Sequence, residues 1–306
     1  MAGPTNASPL YTFIPCKNRK RDLFIQYIAI SNRNFYRIMK NRFSTCSDTA
    51  VTAIPADSGQ SAILTNKAVH LAELLQIKLI EAQERHKYNP LLLYTEKGLQ
   101  IQLKQAGNHH KTSNLHVDFL SDALNYRRQH GGGIKQAIAR AVGIKPGFRP
   151  SIIDATAGLG KDSFLLCSLG CTVYMIERSP MLASLLLDGL ERAIRAQALP
   201  FPVEKMMTLA EGDAAEIIKD TTTVHTIYLD PMYPHSSSSA LNKLEMRMIR
   251  FLVGDDLDAA KLLDMALEYA GNRVVVKRPK GAPVLNNISP NHAIKMKNSR
   301  YDVYMI

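Results

Sequence analysis

The sequence predicts an α/β protein: an open, mostly parallel sheet closed by a C-terminal antiparallel hairpin, preceded by a small N-terminal α+β subdomain. Three observations carry that expectation. From Ser151 onward, short apolar runs alternate with stretches of helical spacing, the pattern of strands joined by crossover helices. The first run, Ser151-Ile152-Ile153-Asp154, leads through Ala157-Gly158-Leu159-Gly160 into a helix starting at Lys161, the layout of a nucleotide-binding first crossover. Acids stand at the carboxyl ends of four successive strands: Asp154, Glu177, Asp213 and Asp230. Ligands of such sheets sit outside those ends.

The 306 residues suffice for one large domain with an appendage, and 46% apolar residues supply a sizeable core. No apolar run has membrane-spanning length and no secretory leader opens the chain, so no membrane partner is expected and a cytoplasmic location fits. Cys16, Cys46, Cys167 and Cys171 form no C-x-x-C pair and the histidines do not cluster; buried or incidental thiols are expected, and no metal. The net charge of +11 suggests a polyanionic partner, but most of it lies in residues 1–45, where eight Lys or Arg face one acid, Asp22. Aromatic residues such as Tyr11, Phe24 and Tyr36 interleave with those bases, which suits single-stranded nucleic acid. The alternatives are a loosely ordered tail, or a non-native segment appended by an upstream start codon, with Met39 an internal candidate start.

Residues 46–115 read as the small subdomain. Ala68, Leu71, Leu74, Leu75 and Leu79 predict a helix over 66–80, and residues 91–94 and 99–103 read as strands joined by Glu96-Lys97-Gly98. No chemistry is apparent there. Residues 116–306 form the main domain. Near its start, Tyr126-Arg127-Arg128 precede Gly131-Gly132-Gly133, a set that can hold phosphates or stack a base. A flexible linker is the plain alternative. Ile134, Ala137, Ile138, Ala141 and Val142 then give a helix one apolar face, ending at Gly143.

After the glycine turn, Gly170 ends the helix and residues 171–176 form a second strand closed by Glu177. Ser179 caps the next helix, with Pro180 at its first position. Glu177 lies nineteen residues beyond Gly158, where a nucleoside ribose is commonly gripped. A third strand, 206–209, ends at Gly212-Asp213, and a fourth, 224–229, ends at Asp230-Pro231-Met232-Tyr233. Asp255 and Asp256 offer a cap for a helix running to Gly271. The fifth strand, 273–276, ends at Lys277-Arg278-Pro279, and residues 293–296 and 301–306 read as the closing hairpin. One or two of the four strand-end acids could be helix caps; four in series are hard to explain that way.

Asp230-Pro231-Met232-Tyr233 resembles the [DNS]-P-P-[YFW] signature of methyltransferases acting on exocyclic base amines, with Met232 in place of the second proline. An aromatic amine is a weak nucleophile because its lone pair is delocalised into the ring. A carboxylate at Asp230 and the Pro231 carbonyl can orient it, and Tyr233 can stack on an extruded base. The plain alternative is a proline-rich strand end. The hairpin after the fifth strand also resembles the class I methyltransferase sheet more than a dehydrogenase.

A wider set of motifs resembles the RsmJ family, bacterial 16S ribosomal RNA (guanine-N2)-methyltransferases. It comprises residues 154–162, Glu177-Arg178, residues 228–235 and 274–279, Val117-Asp118-Phe119, Arg127-Arg128, Gly131-Gly132-Gly133 and residues 141–145. The similarity covers roughly residues 50–306. It implies a class I, Rossmann-like methyltransferase using S-adenosylmethionine, with 16S ribosomal RNA or the small ribosomal subunit as partner. By position, the family's cofactor contacts fall on Lys161, Asp162, Glu177, Arg178, Gly212, Asp213 and Asp230; Asp154 and Gly158 join them as a strand-end acid and an open backbone. Asp230, Pro231 and Tyr233 are the expected catalytic residues. Tyr126, Arg127, Arg128, Gly131, Gly132, Gly133, Lys277 and Arg278 are the expected RNA contacts. Two departures stand out: Lys161 replaces a familiar arginine and loses its fork, and Gly212-Asp213 replaces small hydroxyl residues.

Other readings stay open at this level. The Asp230 motif also serves adenine-N6 and cytosine-N4 amines. Glu177 alone would suit an NAD-dependent oxidoreductase, but G-x-G-x-x-G is absent. A non-catalytic RNA-binding Rossmann-fold protein is opposed by the intact strand-end acids.

Overall fold

The computed structural model describes residues 49–54, 61–105, 108–232 and 240–306. The expectations for residues 1–45 and for Tyr233 lie outside the described residues. The chain runs β1 (Ala50–Ala53), α1 (Ser61–Leu75), β2 (Lys78–Leu79), β3 (Leu91–Thr95), β4 (Gly98–Gln105) and β5 (Asn108–Leu115). Next come α2 (Asp122–His130), α3 (Ala137–Val142), β6 (Ser151–Asp154), α4 (Lys161–Ser168), β7 (Thr172–Glu177) and α5 (Pro180–Ala196). Then follow α6 (Val203–Met206), β8 (Met207–Glu211), α7 (Ala214–Asp220) and β9 (Thr226–Leu229). α8 (Ala240–Val253), α9 (Ala259–Tyr269), β10 (Arg273–Pro279), β11 (His292–Lys295) and β12 (Ser299–Met305) complete it.

The larger sheet has the order β11-β12-β10-β9-β6-β7-β8. Strands β6 to β10 are parallel, and β12 runs antiparallel to both β10 and β11. Both faces are covered, so the strands are apolar on both sides, with a period of two deciding which layer each residue enters. Ile152, Val173, Met175, Tyr228 and Val275 pack in the core shared with α3, α4 and α5. Ile153, Ile176, Ile227, Leu229, Val274 and Val276 pack in the opposite core with residues of α7 and α9. The chain builds outward from β6 through β7 to β8, then returns to lay β9 on β6's other side. That reversal opens a crevice beyond the carboxyl ends of β6 and β9.

The smaller sheet has the order β2-β1-β3-β4-β5 and carries α1 on it. Its apolar residues, among them Leu92, Leu99 and Ile101, share one core with Leu186 and Leu190 of α5, and a polar link is set within it: the buried Asp188 of α5 accepts the Leu99 backbone N–H at 3.0 Å and the Arg192 guanidinium at 2.9 Å.

Three expected elements differ. The helix expected over 66–80 ends at Leu75, where Gln76 takes a left-handed φ of 51°. Lys78 and Leu79 instead pair parallel with Ala50 and Val51, and Ile80 is buried beside Ala50, Leu91 and Leu93. Their apolar spacing serves a sheet edge. The helix expected from Asp255 or Asp256 begins at Ala259; Asp256 lines the crevice instead, and Asp255 pairs with Arg250 at 3.0 Å. The glycine segment is not a plain linker: α2 carries Tyr126, Arg127 and Arg128 up to Gly131. β5 had no sequence signal because Asn108–Leu115 is almost wholly polar.

Candidate active site

The crevice at the strand reversal holds a cavity of about 1000 Å³. Its wall takes Asp154 from β6, the turn before α4, Glu177 and Arg178 from the end of β7, Gly212 and Asp213 after β8, Asp230 to Met232 after β9, and Lys277 from β10. The expected cofactor residues therefore converge on one cavity, along with Asp230 and Pro231 of the expected catalytic set.

The turn after β6 is made by two left-handed glycines, Gly158 at φ 57° and Gly160 at φ 70°. A Cβ at Gly160 would come within 2.8 Å of the Leu186 side chain and 3.0 Å of Phe119. This turn is locked to β7. The Ala157 N–H bonds the Ile176 carbonyl at 3.1 Å, and the Gly158 N–H reaches Glu177 Oε2 at 2.8 Å. Glu177 Oε1 accepts the Ser179 N–H, also at 2.8 Å, so one carboxylate fixes both the glycine turn and the start of α5. Burial lifts the Glu177 carboxyl to about 7, although both N–H groups and Arg178 pull the other way.

A network of acids and cations lines the wall toward β9 and β10. Asp154 is 2% exposed and accepts the Ser163 hydroxyl at 2.5 Å; burial lifts it to about 7. Asp162 accepts three groups: Arg127 at 3.1 Å, the Tyr228 hydroxyl at 2.9 Å and Lys277 at 3.1 Å. Burial opposes its charge, but Lys277, Arg127 and that hydroxyl hold it down to about 2. Lys277 Nζ also lies 2.7 Å from Asp230 Oδ2. Burial raises the Asp230 carboxyl, with Lys277 opposing, and both acids keep Lys277 charged against its own burial. The Asp230 backbone N–H donates to Thr156 Oγ1 at 2.6 Å, tying the β9 end to the glycine turn.

The segment after Asp230 is held by a residue expected only as a helix cap. Asp256 accepts the Met232 N–H at 2.5 Å and pairs with Arg178, which also grips Asp258 at 3.0 Å. A second proline in place of Met232 would lack that N–H. At the cavity mouth Lys161 pairs with Glu245 of α8 at 2.6 Å. Asp213 caps α7 through the Ala215 N–H at 2.9 Å, so that acid is in part a helix cap.

The expected RNA residues divide. Tyr126 is 67% exposed and stacks on His130 at 4.4 Å, beside the Gly131–Gly133 turn, whose first two glycines are exposed. Arg128 is half-buried on the same helix. Arg127, in contrast, lines the cavity against Asp162. Lys277 and Arg278 both line the cavity: Lys277 is in the acid network, and Arg278 is 5% exposed and donates to the Pro283 carbonyl. The strand alternation of Val274 and Val276 implied that inward direction for Arg278. Thr156, Ser163, Tyr228 and Glu245 were given no individual role in the sequence reasoning, and Asp256 only that of a helix cap. Only Tyr228, whose polar head ends an apolar strand next to Asp230, carried any signal. Cys167 and Cys171 are free and buried. Among the described residues no group of three or more His, Cys, Asp or Glu could hold a metal, and no helix is long and apolar enough to cross a membrane.

Comparison with known proteins bears on this geometry. A family model described as "Putative SAM-dependent methyltransferase" matches residues 73–306. A protein of Desulfotalea psychrophila named ribosomal RNA small subunit methyltransferase J is 48% identical, over 78% of this chain and 91% of its own length. A Stutzerimonas stutzeri protein of the same name is 51% identical, over 68% of this chain and 80% of its own length. A crystal structure of a SAM-dependent methyltransferase from Neisseria gonorrhoeae superposes with a TM-score of 0.60 at 33% identity, covering 84% of this chain and 95% of that one.

Proposed function

The chain belongs to the ribosomal RNA small subunit methyltransferase J family, and we propose that it methylates the exocyclic N2 amine of a guanine in 16S ribosomal RNA using S-adenosylmethionine. The residues of the cavity fit that cofactor. Its ribose hydroxyls need acceptors, and Glu177 stands at the glycine turn with lone pairs beyond the two used by Gly158 and Ser179. Its adenine amine needs an acceptor, which Asp213 can supply beside Gly212. Its methionine end carries an ammonium, which suits the acid-rich wall of Asp154, Asp162 and Asp230. Lys161 and Arg178 belong to the same wall, each paired with an acid that can re-orient it. When bound, the cofactor supplies an electrophilic sulfonium methyl.

The chain's own residues then handle the nucleophile. Asp230 presents a carboxylate oxygen, and Pro231 a carbonyl, to the two hydrogens of the base amine, which aligns its lone pair and stabilises positive charge developing on nitrogen. Tyr233 stacks on the extruded base. Tyr126, Arg128 and the Gly131–Gly133 turn take the surrounding RNA, and Arg127 joins the cavity wall to that surface. A location with the ribosomes, in the cytoplasm, follows from this reading.

The observation that carries the proposal is the Asp230 carboxylate at the strand reversal, 36% exposed and facing a cavity whose other acids suit the cofactor. The test is methylation of naked 16S RNA and of assembled small subunits, followed by mass spectrometry of nucleosides. N2-methylguanosine in either substrate is the expected product. N6-methyladenosine or N4-methylcytidine would change the target amine, and no methylation of either substrate by cofactor-binding protein would overturn the reading.

A further inference from the structure

Lys277 is a cation built into the acid wall. In the β9–β10 ladder Val276 is level with Leu229, so the next residue of each strand, Lys277 and Asp230, stand side by side. On the other side Lys277 is level with Tyr301 of β12. Its ammonium lies 2.7 Å from Asp230 Oδ2 and 3.1 Å from Asp162 Oδ2. Asp162 has two other donors, Arg127 and the Tyr228 hydroxyl. Among the described residues Lys277 is the cation paired with Asp230.

We propose that Lys277 is a positioning residue for the methyl-transfer reaction, bridging Asp162 and Asp230 so that the Asp230 carboxylate stays charged and fixed in the cavity wall. This rests on the role given to Asp230 above. The groups around Asp230 make the bridge necessary. Asp162 comes from α4, Asp154 from β6, and Asp256 from the segment before α9, all acids. Tyr228 of β9 and Tyr301 of β12 are neutral, and Arg127 of α2 is engaged by Asp162. Without Lys277, partial desolvation at the cavity wall and the like charge of the neighbouring acids both favour a protonated Asp230. A protonated carboxyl offers a hydrogen where the amine needs an acceptor. A lysine held by two carboxylates is also a poor phosphate contact, because binding RNA would strip both acids of their cation.

The primary test needs no methyl transfer. Carboxyl carbon NMR of the full chain, with the Asp230 signal assigned from its loss in Asp230→Asn, reads its titration directly. In the unmodified chain Asp230 is expected to be ionised at neutral pH; a protonated Asp230 there overturns the proposal without any further variant. Lys277→Met should move its midpoint up by at least about one pH unit, and Lys277→Arg should restore it. Lys277→Gln serves the same comparison if the methionine variant does not fold. In single-turnover methylation the neutral variant should be about tenfold slow one unit below its new midpoint, recover as pH rises, and bind RNA within about twofold of the parent. An unmoved midpoint overturns the bridge, and a pH-independent rate loss matched by lost RNA affinity makes Lys277 an RNA contact instead. A parent chain that does not methylate RNA counts against the proposed function, while the NMR titration still decides the bridge.

Discussion

Glu177 should couple cofactor binding to proton release. Its carboxyl is 6% exposed and is lifted to about 7 by burial, from an ordinary value of 4.5. Ribose hydroxyls donate, so they favour its ionised form, and binding must then release a proton wherever the free group still holds one. Affinity for S-adenosylmethionine should be level above about pH 7 and fall by up to about tenfold, roughly 1.4 kcal/mol, per unit below it. The same shift shapes stability. A carboxyl whose folded value is raised contributes stability at pH below its unfolded value, and that contribution is lost as pH rises through about 7. The difference of about 2.5 units corresponds to about 3 kcal/mol. Glu177→Gln should therefore flatten the stability profile between about pH 4.5 and 7. It should also weaken binding at about pH 8 by roughly 1.5–3 kcal/mol, the range for hydrogen bonds to a charged acceptor. Calorimetry at two pH values, each in buffers of different ionisation heat, counts the protons. Asp154 titrates in the same range, so Asp154→Asn is the control. If the proton release survives in Glu177→Gln and disappears in Asp154→Asn, the placement of Glu177 at the ribose is wrong.

Three further outcomes are expected. Asp230→Asn should slow single-turnover methylation more than it weakens RNA binding, whereas Tyr233→Ala should cost about 1–3 kcal/mol and Tyr233→Phe little, since stacking needs only the ring. A phenylalanine variant as slow as the alanine one would give the hydroxyl a role. Arg127→Ala should weaken cofactor binding about two- to fivefold through the loss of its 3.1 Å pair with Asp162, while Arg128→Ala should affect RNA binding alone; equal effects of the two on cofactor affinity, measured by calorimetry, would contradict this. Gly160→Ala should cost about 2–4 kcal/mol in denaturant unfolding, because its left-handed backbone and the Leu186 contact both reject a Cβ; an unchanged midpoint would mean the turn can be rebuilt.

How legible an element was depended on how local its cause is. The strands β6, β7, β9 and β10 are buried on both faces, so their apolar runs announced them. Ser179 and Pro180 named the start of α5, and the Ser179 hydroxyl does accept the Leu182 N–H, at 3.4 Å. By contrast, α1 and β2 share one continuous apolar spacing, and what separates them is the pairing of Lys78 and Leu79 with a strand nearly thirty residues earlier. No local pattern holds that information. β5 is stabilised by its ladder to β4, not by its own side-chain pattern.

The site divides along the same line. Acids at strand ends can be read from a sequence because the parallel-sheet topology sends every strand's carboxyl end to one crevice. What a sequence does not show is which acid has which partner. Glu177 was expected as a ribose ligand from its place after the glycines, but its bond to the Gly158 N–H was not legible, because that bond joins the ends of two strands. Lys277 and Arg278 looked like one basic pair at a strand end. A strand turns neighbours to opposite faces, so the sheet places the first against Asp230 and Asp162 and the second against the Pro283 carbonyl. Charge at a strand end therefore has no fixed meaning until register is known. In this chain the β9–β10 register sets Lys277, expected as an RNA contact, beside the acid proposed to orient the base amine.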